Sequence, residues 1–324
     1  MDKKEKKLFT PFLNGYSLFE NIVIYFNDYA DYMSSLEFSY SVKKDFPLCF
    51  LEINNILGEH HLIQKNDVLI GDNKYKTYLT IVHRTTRGFY KYNKKDFTDF
   101  GNKIKEVFNL LNKFNLKPIY IDYERLKFIR SCFLANNFSM ENVQKSFKIF
   151  NTHLEINGVC TKVVTISQVD KKEAKGLIKN SFDFKFLLNS EEFKNIDLFI
   201  YNQSVRIDSQ SKKKSKYKGQ LNKYSDNVNE GVILKSERLQ ELIDSSENIT
   251  DCFFSFTIKG KKENIDKLLN FIQSYFNDFG VRINLESFNQ LEIFSRTFPG
   301  TTIDVPKENL IELDINNATK LIFN

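Results

Sequence analysis

The chain has 324 residues, a net charge of +6 and a pI of about 8.8, with 41% hydrophobic and 27% charged residues. That length exceeds one small core and predicts two packed units. The composition is that of a globular chain, and the mildly basic balance falls short of a dedicated nucleic-acid binder. Cys49, Cys132, Cys160 and Cys252 are far apart in apolar settings such as PLCFL and DCFFSF. Without a CxxC pair they predict buried, reduced thiols and a cytoplasmic setting. The N-terminal MDKKEKKLFTPF has no apolar run of signal-peptide length behind its charges. No stretch approaches ~18 uncharged apolar residues, the length of a membrane span.

In chain order, residues 16–42 read as a strand pair, NIVIYFN and SSLEFSYSV, around the turn residues NDYAD. FPLCFLEINNIL (46–57) is ambiguous between strand and helix. TYLTIVH, ending at His83, is β-branched and predicts a strand. KDFTDFGNKIKEVFNLLNKF (95–114) is the clearest amphipathic helix, because Phe97, Phe100, Ile104, Val107, Phe108 and Leu111 recur at three- and four-residue steps. KPIYID (117–122) predicts a short strand and YERLKFIRSCFLANN (123–137) a further helix.

A second unit starts near residue 145. SFKIFNTHLEI and CTKVVTISQVD read as strands with an Asn157-Gly158 hairpin turn between them. KKEAKGLIKN predicts a short helix and IDLFIYNQSVRID (196–208) a strand. SKKKSKYKG then places Lys212, Lys213, Lys214, Lys216 and Lys218 together, as a solvated loop or helix start. VILKSERLQELIDSS predicts a helix with Leu234, Leu239 and Leu242 as core contacts. CFFSFTIKG is a strand, and KKENIDKLLNFIQSYFNDFG a helix closed by Gly280. VRINLE is a strand, and ESFNQLEIFSRTF reads as the last helix, stopped by Phe298-Pro299-Gly300. No internal repeat is visible. The fold class is therefore α/β in the α+β sense, as two mixed sheet-and-helix subdomains, 1–144 and 145–324.

The chemical inventory is mostly negative. The closest glycines, Gly219 and Gly231, are twelve residues apart. A Walker A loop needs two glycines five residues apart, and a dinucleotide fingerprint needs them closer still, because the backbone must curl round phosphate without a Cβ in the way. Asp-Phe-Gly occurs at 99–101 and 278–280, but both copies lie in helical segments without a glycine-rich loop. His60, His61, His83 and His153 show no ligand spacing and read as surface or satisfied histidines. No catalytic residue, cofactor site or metal site is predicted. The five lysines are the one concentrated charge feature. Clustered ammonium groups release counterions from a polyanion and so suit nucleic acid or anionic lipid, with Tyr217 able to stack on a base. Such runs are more often plain solvated faces, exposed and dispensable for folding.

Set in order, CTKVVTISQVDKKEAKGLI, DFKFLLN, IDLFIYNQ, DCFFSFTIKG and LEIFSRTFPG resemble the N-terminal region of the large cytoplasmic ATPases of type IV secretion and conjugation machines, the TraG- and TraC-like, VirB-type traffic ATPases. The resemblance covers residues 145–324 and, more loosely, the first half. That family usually carries Leu-Pro-Gly-Asn where this chain has Phe298-Pro299-Gly300-Thr301, and NATKLIFN falls where the family leads into its motor domain. The Walker motifs of the motor are missing. The resemblance implies a non-catalytic scaffold and docking domain, peripheral at the inner membrane. Its implied partners are inner-membrane secretion subunits, a C-terminal ATPase domain and a possible homo-oligomer. The other reading is a stand-alone nucleic-acid-binding protein or small globular enzyme of an unrelated family, and a Walker A loop encoded downstream would separate the two.

Overall fold

The computed structural model describes residues 15–19, 21–26, 32–38, 46–70, 74–84, 93–135, 146–169, 190–224, 230–244, 247–278, 280–287, 289–300 and 310–321. These residues form a mixed α+β fold. The first half holds β1 (Gly15–Phe19), β2 (Ile22–Phe26), β3 (Tyr32–Phe38), α1 (Phe46–Leu57), β4 (His61–Ile70), β5 (Lys74–His83), α2 (Lys94–Lys113), β6 (Ile119–Tyr120) and α3 (Tyr123–Ala135). The second half holds β7 (Phe147–Ile149), β8 (Leu154–Ile156), β9 (Val159–Val169), α4 (Glu191–Lys194), β10 (Leu198–Ile207), α5 (Gln210–Tyr224), α6 (Glu230–Asp244), β11 (Ile249–Gly260), α7 (Lys262–Asn277), β12 (Val281–Leu285), α8 (Gln290–Arg296), β13 (Ile311–Asp314) and α9 (Ile315–Lys320).

All thirteen described strands join one sheet, ordered β1-β2-β3-β5-β4-β10-β11-β9-β8-β7, with β6 on β3, β12 on β9 and β13 on β11. The described strands of residues 1–144 and 145–324 therefore share one sheet. Antiparallel β4 and β10 join the two halves along ten register pairs, from His61↔Ile207 to Ile70↔Leu198. The strand order is palindromic. Strand pairs β1·β2, β2·β3, β3·β5, β4·β5 and β3·β6 recur as β7·β8, β8·β9, β9·β11, β10·β11 and β9·β12. Helices α1, α2 and α3 fall at the places of α4, α7 and α8. The topology thus repeats about an approximate twofold axis near the middle of the β4–β10 ladder, where Asn66 and Asn202 are register partners. The residues themselves show no such repeat.

Side chains alternate across a strand, so the sheet has two apolar faces. One carries Ile63, Leu79, Phe199, Tyr201, Phe254 and Phe256, covered by α1, α2, α7 and α9. The other carries Val68, Tyr78, Ile200 and Phe253, covered by α3 and α8. β11 is buried along its whole length, as a central strand covered on both faces must be. The ambiguous 46–57 is a helix, with Pro47 in its first turn and Gly58 at φ +72° just past its end. α2 matches its periodicity, and the Asn93 side chain accepts a hydrogen bond from the Lys95 N–H at its start. The glycine of the first Asp-Phe-Gly has a packing role: a Cβ on Gly101 would lie 2.3 Å from the Phe19 ring, which packs there against α2. Asn157 and Gly158, at φ +52° and +78°, make the expected tight hairpin between β8 and β9.

Two expectations are corrected, and the choice between loop and helix start for the lysine run is decided. A strand, β4, runs through HLIQKNDVLI, where none is predicted. The lysine run is helical, as part of α5. Helix α8 is followed by β13 and α9, so it is not the last helix. The short helix predicted in KKEAKGLIKN, 171–180, lies outside the described residues.

Candidate functional site: a cationic cavity beside helix α5

The repeat locates an addition to the scaffold. β4 passes to β5 across residues 71–73, whereas the equivalent passage from β10 to β11 contains α5 and α6. This helical hairpin has no counterpart in the first half among the described residues. Lysine favours helix, but like charges four residues apart, as at Lys212/Lys216 and Lys214/Lys218, oppose it by a few tenths of a kcal/mol per pair. Anchors to the sheet offset this. The Gln210 side chain accepts from the Ile249 N–H at 2.7 Å and donates to the Ile249 carbonyl at 3.0 Å. The Gln210 N–H donates to the Glu59 carboxylate at 3.0 Å, favourable at a helix N-terminus. Tyr217, buried in the face of α5 turned to the sheet, packs with Leu242 of α6 and Ile249 of β11.

The helix sorts its lysines. Lys213, one turn before Tyr217, is 9% exposed, and its Nζ lies 2.6 Å from Asp251 Oδ1. Arg206 reaches the other oxygen of Asp251 at 2.7 Å and Asp208 at 3.1 Å. Burial pushes the Asp251 carboxyl up, but Lys213 and Arg206 together outweigh it and hold the group below its usual value. Lys214 is half-buried, while Lys212, Lys216 and Lys218 are exposed. Uniform exposure of the run is thus wrong: Lys213 is a structural cation whose burial is offset by a carboxylate that the sequence places 38 residues away.

Lys212, Lys216, Gln220 and Tyr224 follow at four-residue steps along one face of α5 and line a cavity of about 790 Å³. The apolar part of its wall comes from Leu239 and Leu242 of α6 and from Leu310 and Ile311. Its end at the sheet is the row Arg206, Asp251 and Glu312, register neighbours on β10, β11 and β13. Among the described residues neither Lys212 nor Lys216 is in an ion pair. Lys216 lies 5.8 Å from the Tyr217 ring. The cavity therefore offers two ammonium groups to a ligand, while its deeper charges are already matched. Leu239 and Leu242 have the core contacts expected of them; the Leu234 side chain lies outside the described residues.

Phe298-Pro299-Gly300 lies elsewhere, on the face covered by α3 and α8, near the approximate twofold axis. Gln64 donates to the Phe298 carbonyl at 3.0 Å and accepts from the Gly300 N–H at 2.7 Å. Asn66 donates to the Thr297 carbonyl at 2.8 Å. The Arg130 guanidinium, 7% exposed, donates twice to the Pro299 carbonyl, at 2.7 and 3.2 Å. Gly300 has φ +81°, and a Cβ there would lie 2.3 Å from Met33 Sδ. Beyond stopping a helix, the turn is a buried plug over the polar centre of the sheet.

A second cavity, of about 390 Å³, is lined by His61, His83, Phe100, Lys103 and the carboxylates Asp96, Asp99 and Glu106. His61 and His83 are register partners on β4 and β5 with rings 4.8 Å apart. His61 is 2% exposed, and its Nε2 and the His83 Nδ1 have no hydrogen-bond partner among the described residues. Burial, then the neighbouring His83 and Lys103, hold His61 down at about 3. The reading of these residues as surface or satisfied histidines is corrected here. Among the described residues no three His, Cys, Asp or Glu side chains are grouped to hold a metal ion. Three of the four cysteines are buried, and all four are free. Burial pushes the Cys49 and Cys252 thiols up to about 12.

Compared with known proteins, the chain matches no family and no curated protein. Among the described residues no helix is long and apolar enough to cross a membrane.

Proposed function

We propose that the chain is a non-catalytic docking scaffold of the kind implied by its resemblance to the N-terminal region of conjugation and type IV secretion ATPases. In this reading it lies at the cytoplasmic face of the inner membrane, binds inner-membrane secretion subunits, and serves a motor supplied outside these 324 residues. One observation carries the reading: a helical hairpin, α5–α6, is inserted at only one of two equivalent positions of a repeated sheet. The sheet and its two helical layers supply the core, so the hairpin is free to carry recognition. Its exposed Lys212, Lys216 and Lys218 suit an acidic partner surface.

The test is co-purification of the chain with inner-membrane secretion subunits from the same genome. The comparison is a variant in which residues 209–247 are replaced by a short turn of the β4–β5 kind. Association by the full chain and loss of it in the shortened, still folded variant are expected. Absence of association in the full chain, or equal association by both, defeats the reading.

A further inference from the structure

We propose that the cavity beside α5 binds a nucleotide, its phosphates on Lys212 and Lys216 and its base against the ring of Tyr224. The volume, about 790 Å³, falls in the range of roughly 300–1,000 Å³ typical of small-molecule sites. It far exceeds what a lone phosphate fills. The lining is polarised along the helix. Lys212 and Lys216 stand one turn apart, about 6 Å along the axis, and unlike Lys213 they face the cavity without a carboxylate partner among the described residues. Tyr224 lies two turns beyond Lys216, about 12 Å further on, with Leu239, Leu242 and Leu310 also in the wall. Cations toward the start of the helix and the Tyr224 ring toward its end match a ligand with an anionic end and a flat, weakly polar end.

Two further features favour a small ligand over a nucleic-acid strand. Lys218 and Lys223 are exposed on the same helix but do not line the cavity, so the lining cations without a carboxylate partner among the described residues form a pair and not a track. At the sheet end Arg206 and Lys213 are already paired with Asp208 and Asp251, so no unmatched cation continues the lysine pair there. Lys212 and Lys216 also belong to the proposed docking surface, but nucleotide binding is read on the chain alone, so failure of either proposal is distinguishable from failure of the other.

The experiment is calorimetric titration of the full chain with ATP, ADP, adenosine, pyrophosphate and a short single-stranded oligonucleotide, at low and high salt. ADP or ATP binding more tightly than both adenosine and pyrophosphate is the expected result, since each of those lacks one end of the ligand. The double variant K212S/K216S should weaken nucleotide binding about tenfold or more, the scale of losing charge-assisted hydrogen bonds. The control K218S/K223S removes the same charge from the same helix outside the cavity and should leave it unchanged. All four lysines are exposed, so both variants are expected to fold, with melting temperature checking that they do. Equal loss in the two variants, pyrophosphate binding as well as ADP, tighter binding of the oligonucleotide than of any nucleotide, or no nucleotide binding at all overturns the proposal.

Discussion

Phe133, near the end of α3, stacks on Phe298, just past the end of α8, with ring centroids 5.6 Å apart and planes inclined by 27°. The two helices occupy equivalent places in the repeated topology, so this contact closes the layer where the halves meet. Phe294 adds an edge-to-face contact to Phe298 at 5.1 Å. Lys259 of β11 fixes the other partner, donating to the carbonyls of Phe133 and, at 3.3 Å, Leu134 at the end of α3. Phe298→Ala should therefore cost about 3–5 kcal/mol, the range for emptying a buried aromatic site. A double-mutant cycle with Phe133→Leu and Phe298→Leu should return a coupling of about 0.5–1.5 kcal/mol. Urea denaturation measures both, and additive losses would show that the rings do not interact.

Gly300→Ala should destabilise by more than the removal of a glycine normally does. The substituted residue would keep φ near +81° and push its methyl into Met33. Left-handed backbone alone costs a non-glycine residue about 1–2 kcal/mol, and the clash adds to it. Combining Gly300→Ala with Met33→Ala relieves the clash and leaves the backbone strain. A double variant no more stable than expected from the single losses would show that Met33 is not the obstacle.

Asp67 is fully buried beside Lys65, with Thr77 donating to it at 2.8 Å and Gln203 at 2.5 Å. Asp67→Ala removes the carboxylate that faces the buried Lys65 side chain and should cost about 3–5 kcal/mol. Replacing both charges, Lys65→Met with Asp67→Leu, should recover part of that loss. Thermal denaturation that ranks the double variant below the single one contradicts this account.

Acid should weaken the fold through His61. Its folded value, about 3, lies below the ordinary 6.5. Between these values the unfolded chain binds the extra proton, so stability is intact above about pH 6.5 and falls as pH drops toward 3. His83 is lowered too, first by its own burial and then by Lys103, and adds in the same direction. His61→Leu should lose less stability between pH 7 and pH 5 than the parent chain. Parallel pH profiles for the two would remove His61 from the explanation.

The lysines of α5 should separate by position. Lys213→Met leaves Asp251 with Arg206 alone and should cost about 3 kcal/mol, the lower end for breaking a buried pair. Lys212→Ser and Lys218→Ser should stay within about ±0.5 kcal/mol. Equal melting temperatures for all three would return the run to a uniformly solvated face.

The parts of the fold legible in the sequence are those whose side-chain period survives. α2 and α7 bury one stripe each, and β5, β10 and β11 are rich in β-branched and aromatic residues. β4 escapes because Gln64, Lys65, Asn66 and Asp67 interrupt it with four consecutive polar residues, all buried. Their partners are remote: Asn202 lies 136 residues from Asn66, and Phe298 lies 234 from Gln64. Lys213 hides for the same reason, since only the β10–β11 register brings Asp251 and Arg206 together beside it. The Phe298-Pro299-Gly300 stop is visible as punctuation, but the pocket that receives it is built by β4 and α3. The charge cluster was legible as residues and not as a surface, because helical spacing on α5 decides which lysines face the sheet and which face the cavity.

The joining of the two halves through β4 and β10 has a consequence during synthesis. When the ribosome has made the first 135 residues, β4 is an unpaired edge, and it stays one until Ile207 has cleared the exit tunnel. A nascent edge strand is a template for wrong pairing, and contacts between remote segments form slowly. The four polar residues in the middle of β4 make that waiting edge a poor partner for the apolar strands of other nascent chains. The run that obscures the strand in the sequence thus guards it until its proper neighbour arrives.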